Sequence, residues 1–154
     1  MLYRSQQKGF TVIEVIVAGL ILIVLSVGIM TAFSTVTNLN RINNVRSQAL
    51  TVLQREVEAF RSFRFVPGTT DSRLFAGTYP NYKTGVTSAD GIPFNISVVV
   101  DNDPNNSVGG NLDSITDTNC KFKQITITAV LQNPQGGVLS NLQTQVVIQR
   151  VRAN

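Results

Sequence analysis

Glu14 is the charged side chain with the most unusual setting in this 154-residue sequence. It is the only charge between Phe10 and Phe33, in a run that is otherwise uncharged and mostly apolar. A carboxylate in the middle of hydrocarbon costs roughly 2.5–3.5 kcal/mol on insertion scales. The chemistry open to it is pairing with a cation, because a buried charge without a partner is strongly destabilising.

The rest of the composition argues against catalysis. The sequence contains no histidine, which removes the usual general base and the usual metal ligand. Its paired glycines are turn glycines rather than parts of a phosphate-binding loop. The single cysteine, Cys120, excludes an intrachain disulfide and is expected to be inert. We therefore expect no enzyme, no catalytic residue and no cofactor.

The net charge of +4 is spread along the chain. No basic stripe interleaved with aromatic residues is present, so a direct nucleic-acid partner is not predicted.

One segment has a weak metal-binding pattern. "DNDPN" at 101–105 copies the first half of a calcium loop and offers Asp101, Asp103 and Asn105 as candidate oxygen ligands. Position 106 is Asn where such a loop requires Gly, and Leu112 stands where the bidentate Glu belongs. The prediction is therefore a solvated turn with Asx hydrogen bonds and no metal, and calcium binding is the alternative.

The apolar run from Phe10 to Phe33 is long enough to span a bilayer, which requires about 20 residues. Arg4 and Lys8 precede it, so the N-terminus is predicted to stay in the cytoplasm and the remainder to emerge on the other side. An ordinary secretory signal is followed by a small-residue cleavage site. Here the small residue at the clear polarity boundary is Gly9, which precedes the apolar run.

The stretch Gly9-Phe10-Thr11-Val12-Ile13-Glu14-Val15 resembles the processing site of type IV pilins and pseudopilins. The resemblance covers about residues 4–35. It implies that a prepilin peptidase/methyltransferase cuts between Gly9 and Phe10, removes residues 1–9 as a cytoplasmic leader, and leaves Phe10 N-methylated. Glu14 matches the glutamate at the fifth mature position, and its implied role is assembly: it pairs with the terminal amine of a neighbouring subunit in the filament.

The resemblance also implies a function and partners. The expected protein is a structural subunit of a type IV pilus, whose machines serve adhesion and twitching motility. Its implied partners are other pilin or pseudopilin subunits, an inner-membrane assembly platform, and the lipid bilayer before assembly. The precursor is expected to be a single-pass cytoplasmic-membrane protein with its head outside the cytoplasm, and the product to lie in a pilus at the cell surface or in a periplasmic pseudopilus.

One departure from the family pattern narrows the class of pilin that we expect. Many major pilins have a helix-kinking proline in the apolar segment, whereas here Thr31 occupies that region and the first proline is Pro67. The absence of this proline fits a minor pilin or a type II secretion or competence pseudopilin. Among minor pilins, the pattern of the head is similar to the PilV-like kind. A further alternative is a membrane-anchored module whose head binds a surface, although such a tether requires neither Gly9-Phe10 nor Glu14.

Beyond the apolar run, the spacing predicts an amphipathic helix over 34–66 that continues the membrane half at 10–33. Pro67-Gly68 should end it near Arg64 to Val66. The apolar residues at steps of three and four that define its buried stripe are Leu39, Ile42, Val45, Ala49, Leu53, Val57 and Phe60.

Three β-prone segments follow, at 94–100, 121–131 and 142–151, and the turn sequence "QNPQGG" predicts a hairpin between the last two. Alternation places Ile125, Ile127, Ala129 and Leu131 on one face. The stretch 67–93 is predicted to be a connector that Leu74-Phe75 and Tyr79 hold against the head. The predicted class is α+β: one long N-terminal helix packed on a small antiparallel sheet of three or four strands, with the connector and β head at 67–154.

Overall fold

The computed structural model describes residues 9–66, 68–104, 116–117, 120–134, 139 and 142–152. Its elements in chain order are helix α1 (Val12–Ser62), strands β1 (Phe65–Val66) and β2 (Thr69–Thr70), a 3-10 helix (Ser72–Leu74), and strands β3 (Gly77–Thr87), β4 (Pro93–Asp101), β5 (Phe122–Leu131) and β6 (Gln143–Val151). The chain forms two compact units, Met1–Arg41 and Ile42–Asn154. The predicted α+β class, with one long N-terminal helix and a small antiparallel sheet, is confirmed.

The described part of the first unit is the apolar portion of α1. All of its side chains are exposed, and the most apolar window of the helix is 0% buried. By length and composition this helix can cross a membrane. An apolar surface of this extent marks a site of contact with lipid or protein.

In the second unit, the later turns of α1 present one apolar face. The buried apolar residues recur at steps of three and four and are Val45, Ala49, Val52, Leu53, Val57 and Phe60. Most of the predicted stripe is therefore confirmed. Leu39 is an exception, because it lies in the first unit and is exposed, and Ile42 packs only partly against the core.

The four-stranded sheet is an antiparallel meander in the order β3-β4-β5-β6. Strands β4 and β5 alternate strictly between buried and half-exposed residues over most of their length, and Val98 pairs with Ile127 at their centre. Their buried apolar residues belong to the same core as the α1 stripe. The predicted covered face and the antiparallel pairing of β5 with β6 are thus confirmed, although Leu131 is only partly buried. Residues 135–137 of the predicted turn lie outside the described residues.

Strand β3 corrects the prediction of a connector over 67–93. It is an edge strand that pairs with β4, and its pairing is interrupted twice. At one interruption residues 84 and 85 lie opposite Asn95, and Gly85 has φ +67, the left-handed conformation of a glycine bulge. With Pro80 inside it and no fully buried position, β3 has no regular alternation, so its sequence does not predict a strand.

Of the three residues predicted to hold this stretch against the head, two pack against the core and one does not. Leu74 is fully buried and Tyr79 packs against the core, as predicted. The expectation for Phe75 is wrong, since its side chain is 42% exposed.

Helix α1 ends at Ser62, before the predicted boundary at Arg64 to Val66. Hydrogen bonds from Arg150 and a short hairpin that follows the helix explain why α1 ends earlier than predicted. Arg150 Nη1 in β6 donates to the carbonyl oxygens of Phe60 (2.7 Å) and Phe63 (2.8 Å), which satisfies carbonyls at the helix terminus. Val66 precedes a proline, and a residue before proline favours extended backbone over helix. Phe65–Val66 accordingly forms a strand that pairs with Thr69–Thr70 in a short hairpin.

We predict that a chain beginning near Asn38 is a soluble, folded α+β monomer, because the second unit has its own core. Circular dichroism and size-exclusion chromatography would test this, with cooperative thermal unfolding as the criterion for a packed core. A truncated chain that aggregates or unfolds without cooperativity would show that the core depends on the first unit.

Candidate functional site

The processing motif lies at the start of α1. Gly9, Phe10 and Thr11 precede the helix, which begins at Val12. Thr11 caps it: the backbone N–H of Glu14 is 3.1 Å from the Thr11 carbonyl oxygen and 3.3 Å from Oγ1. The helix therefore starts two residues after the predicted cleavage position, and the Phe10 side chain is 83% exposed.

Glu14 lies in the first turn of α1 and is exposed. A carboxylate there is favoured by the partial positive charge at a helix N-terminus. That term is well below the cost of placing the same carboxylate in hydrocarbon. Local structure therefore explains the position of Glu14 only in part.

Gly9 has no steric reason to be glycine in the described chain. A Cβ added there would meet nothing within 4 Å, and its φ is not in the left-handed region. A requirement for Gly9 would therefore come from recognition by another protein rather than from folding.

The calcium candidates form an ordinary turn where they are described. Asp101 Oδ1 accepts a hydrogen bond of 2.8 Å from the backbone N–H of Asp103, which is an Asx turn. Asn105 lies outside the described residues. Within the described chain, no three His, Cys, Asp or Glu residues come together as a metal site.

Sequence reasoning missed a buried polar cluster that the structure places at the end of β4 and the start of β5. Lys123 is fully buried on the core face of β5. Its ammonium donates to the Leu74 carbonyl oxygen (2.7 Å), to Asn102 Oδ1 (2.5 Å) and to Asp117 Oδ1. Asn102 Nδ2 in turn donates to Asp117 Oδ1 (3.1 Å). We call these three side chains, Lys123, Asn102 and Asp117, the lysine cluster.

The lysine cluster is supported by its surroundings. Asp71 caps the 3-10 helix that presents the Leu74 carbonyl, and its carboxylate accepts from the side chain and the backbone N–H of Arg73. The side-chain bond from Arg73 is the main cause that lowers the pKa of Asp71 to about 2. The Cys120 Sγ lies 2.6 Å from the Phe122 carbonyl oxygen, so the buried thiol is held in place by the backbone.

A second buried ion pair joins α1 to the edge strand. Glu56 is 2% exposed, and Lys83 Nζ on β3 donates to its two carboxylate oxygens at 3.0 Å and 2.8 Å. Arg150, at the opposite edge of the sheet, is partly desolvated, and burial lowers its pKa. These cations satisfy buried acceptors in the second unit, which explains their positions without a catalytic role.

An open groove of about 680 Å³ lies between the later turns of α1 and edge strand β6. Its apolar floor includes Leu50 and Val147, which are 43% and 48% exposed. Arg55 and Arg61 lie at its rim, and Arg61 forms a surface ion pair with Glu58 at 2.9 Å. The groove has no convergent buried polar groups of the kind that orient a small substrate.

A signal for the lysine cluster was present in the sequence. In "KFKQITITAVL" the alternation that places Ile125 and Ile127 on the core face also places Lys123 there. A lysine in phase with the core needs buried partners. Asn102 and Asp117 could not be assigned as those partners from sequence, because their distance from Lys123 depends on the strand register.

We predict that calcium does not stabilise the protein through "DNDPN". A ligand that binds only the folded state adds about 2.7 kcal/mol at 100 times its dissociation constant, so thermal unfolding with and without calcium would detect binding. We expect no shift of that size. A large rise in Tm that is lost in Asp101→Ala or Asp103→Ala would contradict the prediction.

Comparison of this chain with protein-family models, with curated proteins and with solved structures gives no match, so the resemblance of residues 4–35 to type IV pilins rests on the processing motif and on the helix that follows it.

Proposed function

We propose that this chain is a structural subunit of a type IV pilus or a related filament, most specifically a minor pilin. The observation that carries the proposal is the combination at the start of α1: Gly9-Phe10 and Glu14 open an apolar helix that the described chain leaves uncovered. A protein with that helix needs a bilayer or other apolar helices around it. In this proposal the bilayer surrounds the helix first, and the apolar helices of neighbouring subunits surround it after assembly into the filament.

Glu14 is the assembly residue in this proposal. In the bilayer, Glu14 and the new amine of Phe10 lie about one helical turn apart near the cytoplasmic interface, where water reaches the carboxylate. In a filament, packed helices exclude water. The amine of a neighbouring subunit then lowers the cost of the buried carboxylate, and loss of either charge leaves the other unpaired. The pair therefore favours one axial register between subunits.

The proposed partners are the proteins that process the precursor and assemble it into the filament. A prepilin peptidase/methyltransferase cuts after Gly9 and methylates Phe10, and an inner-membrane assembly platform moves the subunit from lipid into the filament. The head lies outside the cytoplasm throughout. The apolar floor of the groove beside β6 is a surface of the second unit that is suited to contact with neighbouring subunits.

The main alternative is a type II secretion or competence pseudopilin. It is favoured by the uninterrupted helix: α1 runs from Val12 to Ser62 with no proline inside it. A helix-kinking proline is common in the apolar segment of major pilins, and its absence argues against the bulk filament protein. A membrane-anchored surface-binding module is a further alternative that requires neither cleavage nor Glu14.

We predict cleavage after Gly9 in the native host. N-terminal mass spectrometry of the assembled protein should find Phe10 as the first residue, with a methylated amine. Replacing Gly9 by a bulky residue should leave the uncut precursor in the membrane, because the peptidase site is blocked while the space around Gly9 allows folding. Assembled material that retains Met1 would rule out the processing step.

We predict that Glu14→Leu leaves membrane insertion intact and lowers incorporation into filaments by about tenfold or more, because the unpaired neighbouring amine is strongly destabilising. Quantitative immunoblots of membrane and sheared-filament fractions would measure both. The matched control is Ile13→Leu, which introduces the same residue one position earlier without removing a charge. Wild-type levels of Glu14→Leu in filaments would favour the anchored module.

A further inference from the structure

We propose that the lysine cluster forms an intramolecular isopeptide bond between Lys123 and Asn102, with Asp117 as the proton carrier. This modification would lie in the second unit and is independent of the filament role. The proposal rests on three observations: the contact of nucleophile and electrophile, the position of a carboxylate beside both, and the burial of the site.

The nucleophile is already hydrogen-bonded to the oxygen of the electrophilic amide. Lys123 Nζ lies 2.5 Å from Asn102 Oδ1, so it is adjacent to Cγ, the carbonyl carbon that carries this oxygen. The ammonium also donates to the Leu74 carbonyl oxygen at 2.7 Å, which fixes the end of the side chain. Holding two reacting groups in this way replaces a bimolecular encounter with an intramolecular one and removes a large entropic part of the barrier.

Asp117 bridges the two reacting groups. Its Oδ1 accepts from Lys123 Nζ and, at 3.1 Å, from Asn102 Nδ2. One carboxylate oxygen therefore contacts both the group that must lose a proton and the group that must gain one. That is the geometric requirement for a general base that later acts as a general acid.

The site excludes water from the reacting atoms. Lys123 is 0% exposed and Asn102 is 2% exposed, and the ring centroid of Phe65 lies 5.5 Å from Lys123 Nζ. An ammonium has no free lone pair, so Lys123 must lose a proton before it attacks, and burial keeps water from competing with the reacting groups. The Asp117 side chain is 23% exposed, which gives the leaving group a path to solvent.

The reaction balances without an oxidant or a co-reactant. The Lys123 ammonium gives one proton to Asp117, and the neutral amine turns its lone pair to Asn102 Cγ by rotation about the Cε–Nζ bond. Attack forms the C–N bond and a tetrahedral intermediate. Asp117 returns its proton to Nδ2, the Cγ–Nδ2 bond breaks, and ammonia leaves with the remaining amine proton transferred through Asp117. Lysine ammonium and asparagine amide thus yield a secondary amide and an ammonium ion.

Asn102 is a better electrophile than Asp117. An ionised carboxylate carries its negative charge on the two oxygens and repels an attacking lone pair, whereas the Asn102 amide is neutral. The two routes also differ in mass, because a bond to Asn102 releases ammonia and a bond to Asp117 releases water.

Tryptic mass spectrometry of the full-length protein tests the proposal directly. Trypsin cuts after Lys83, Lys121, Lys123 and Arg150 in this region of the sequence. With the bond present, Lys123 is acylated and resists cleavage, so peptide 122–150 is found covalently joined to peptide 84–121, with the pair lighter by one ammonia. Lys83, paired with Glu56 rather than with an amide, is an internal control and is cut normally.

Three results would overturn the proposal. The first is free peptide 124–150 as the main product from the folded wild-type protein, which means that Lys123 is an unmodified ion-pair partner. The second is loss of ammonia within peptide 84–121 alone, which indicates a succinimide. The third is a joined pair lighter by one water, which places the bond at Asp117.

A matched pair of variants tests the role of Asp117. Asp117→Asn removes the proton carrier at nearly constant volume, and we expect the joined peptide to fall to less than a tenth of the wild-type amount. Asp101→Asn makes the same chemical change at a carboxylate that contacts the backbone of Asp103, and it should leave the joined peptide at the wild-type amount. Equal amounts in the two variants would contradict the role of Asp117, whatever the yield.

Discussion

The apolar face of the four-stranded sheet must be covered, and in the described chain the later turns of α1 cover it. This constraint sets the arrangement of the second unit. Each polar group on the covered face needs a partner, because an unsatisfied buried polar atom costs as much as a hydrogen bond contributes, or more. Glu56 therefore accepts from Lys83, and Lys123 donates to three acceptors. Gln48 accepts from Ser88 and donates to Asp90. In the described residues no buried side-chain polar atom lacks a partner.

The sequence was informative wherever one periodicity dominated. Strict alternation predicted the buried face of β5, and the three-and-four spacing predicted most of the buried stripe of α1. Strand β3 was missed because its bulge at Gly85 and the proline at position 80 break the alternation, so that its pairing partner rather than its own pattern determines it. The end of α1 was misplaced for a related reason: Arg150, distant in sequence, donates to the carbonyl oxygens of Phe60 in the last turn and Phe63 just beyond it. The contacts of Lys123 also depend on tertiary register, although its burial follows from its phase in β5.

The two units differ in whether their charged side chains are paired within the described chain. The second unit satisfies its buried charges internally, so its polar interior gives no reason to seek a partner. The described part of the first unit has no core, and its carboxylate at Glu14 has no protein cation beside it in any described contact. An apolar helix with one acidic residue in its first turn is thus incomplete as an isolated molecule. This asymmetry is the physical reason why the proposed filament role assigns its assembly determinants to the first unit.

A covalent bond between Asn102 and Lys123 would act at one end of the pairing between β4 and β5. Asn102 directly follows β4, Lys123 is the second residue of β5, and the backbone ladder between these strands ends at the pairing of Asp101 with Gln124. A cross-link there closes the segment between residues 102 and 123, which lowers the conformational entropy of the unfolded chain as a disulfide does. The single cysteine cannot form such an intrachain link. Because an amide is not reduced by thiols, this link would also hold in any redox environment, and pulling on the end of β4 would load a covalent bond rather than the terminal hydrogen bonds of the sheet.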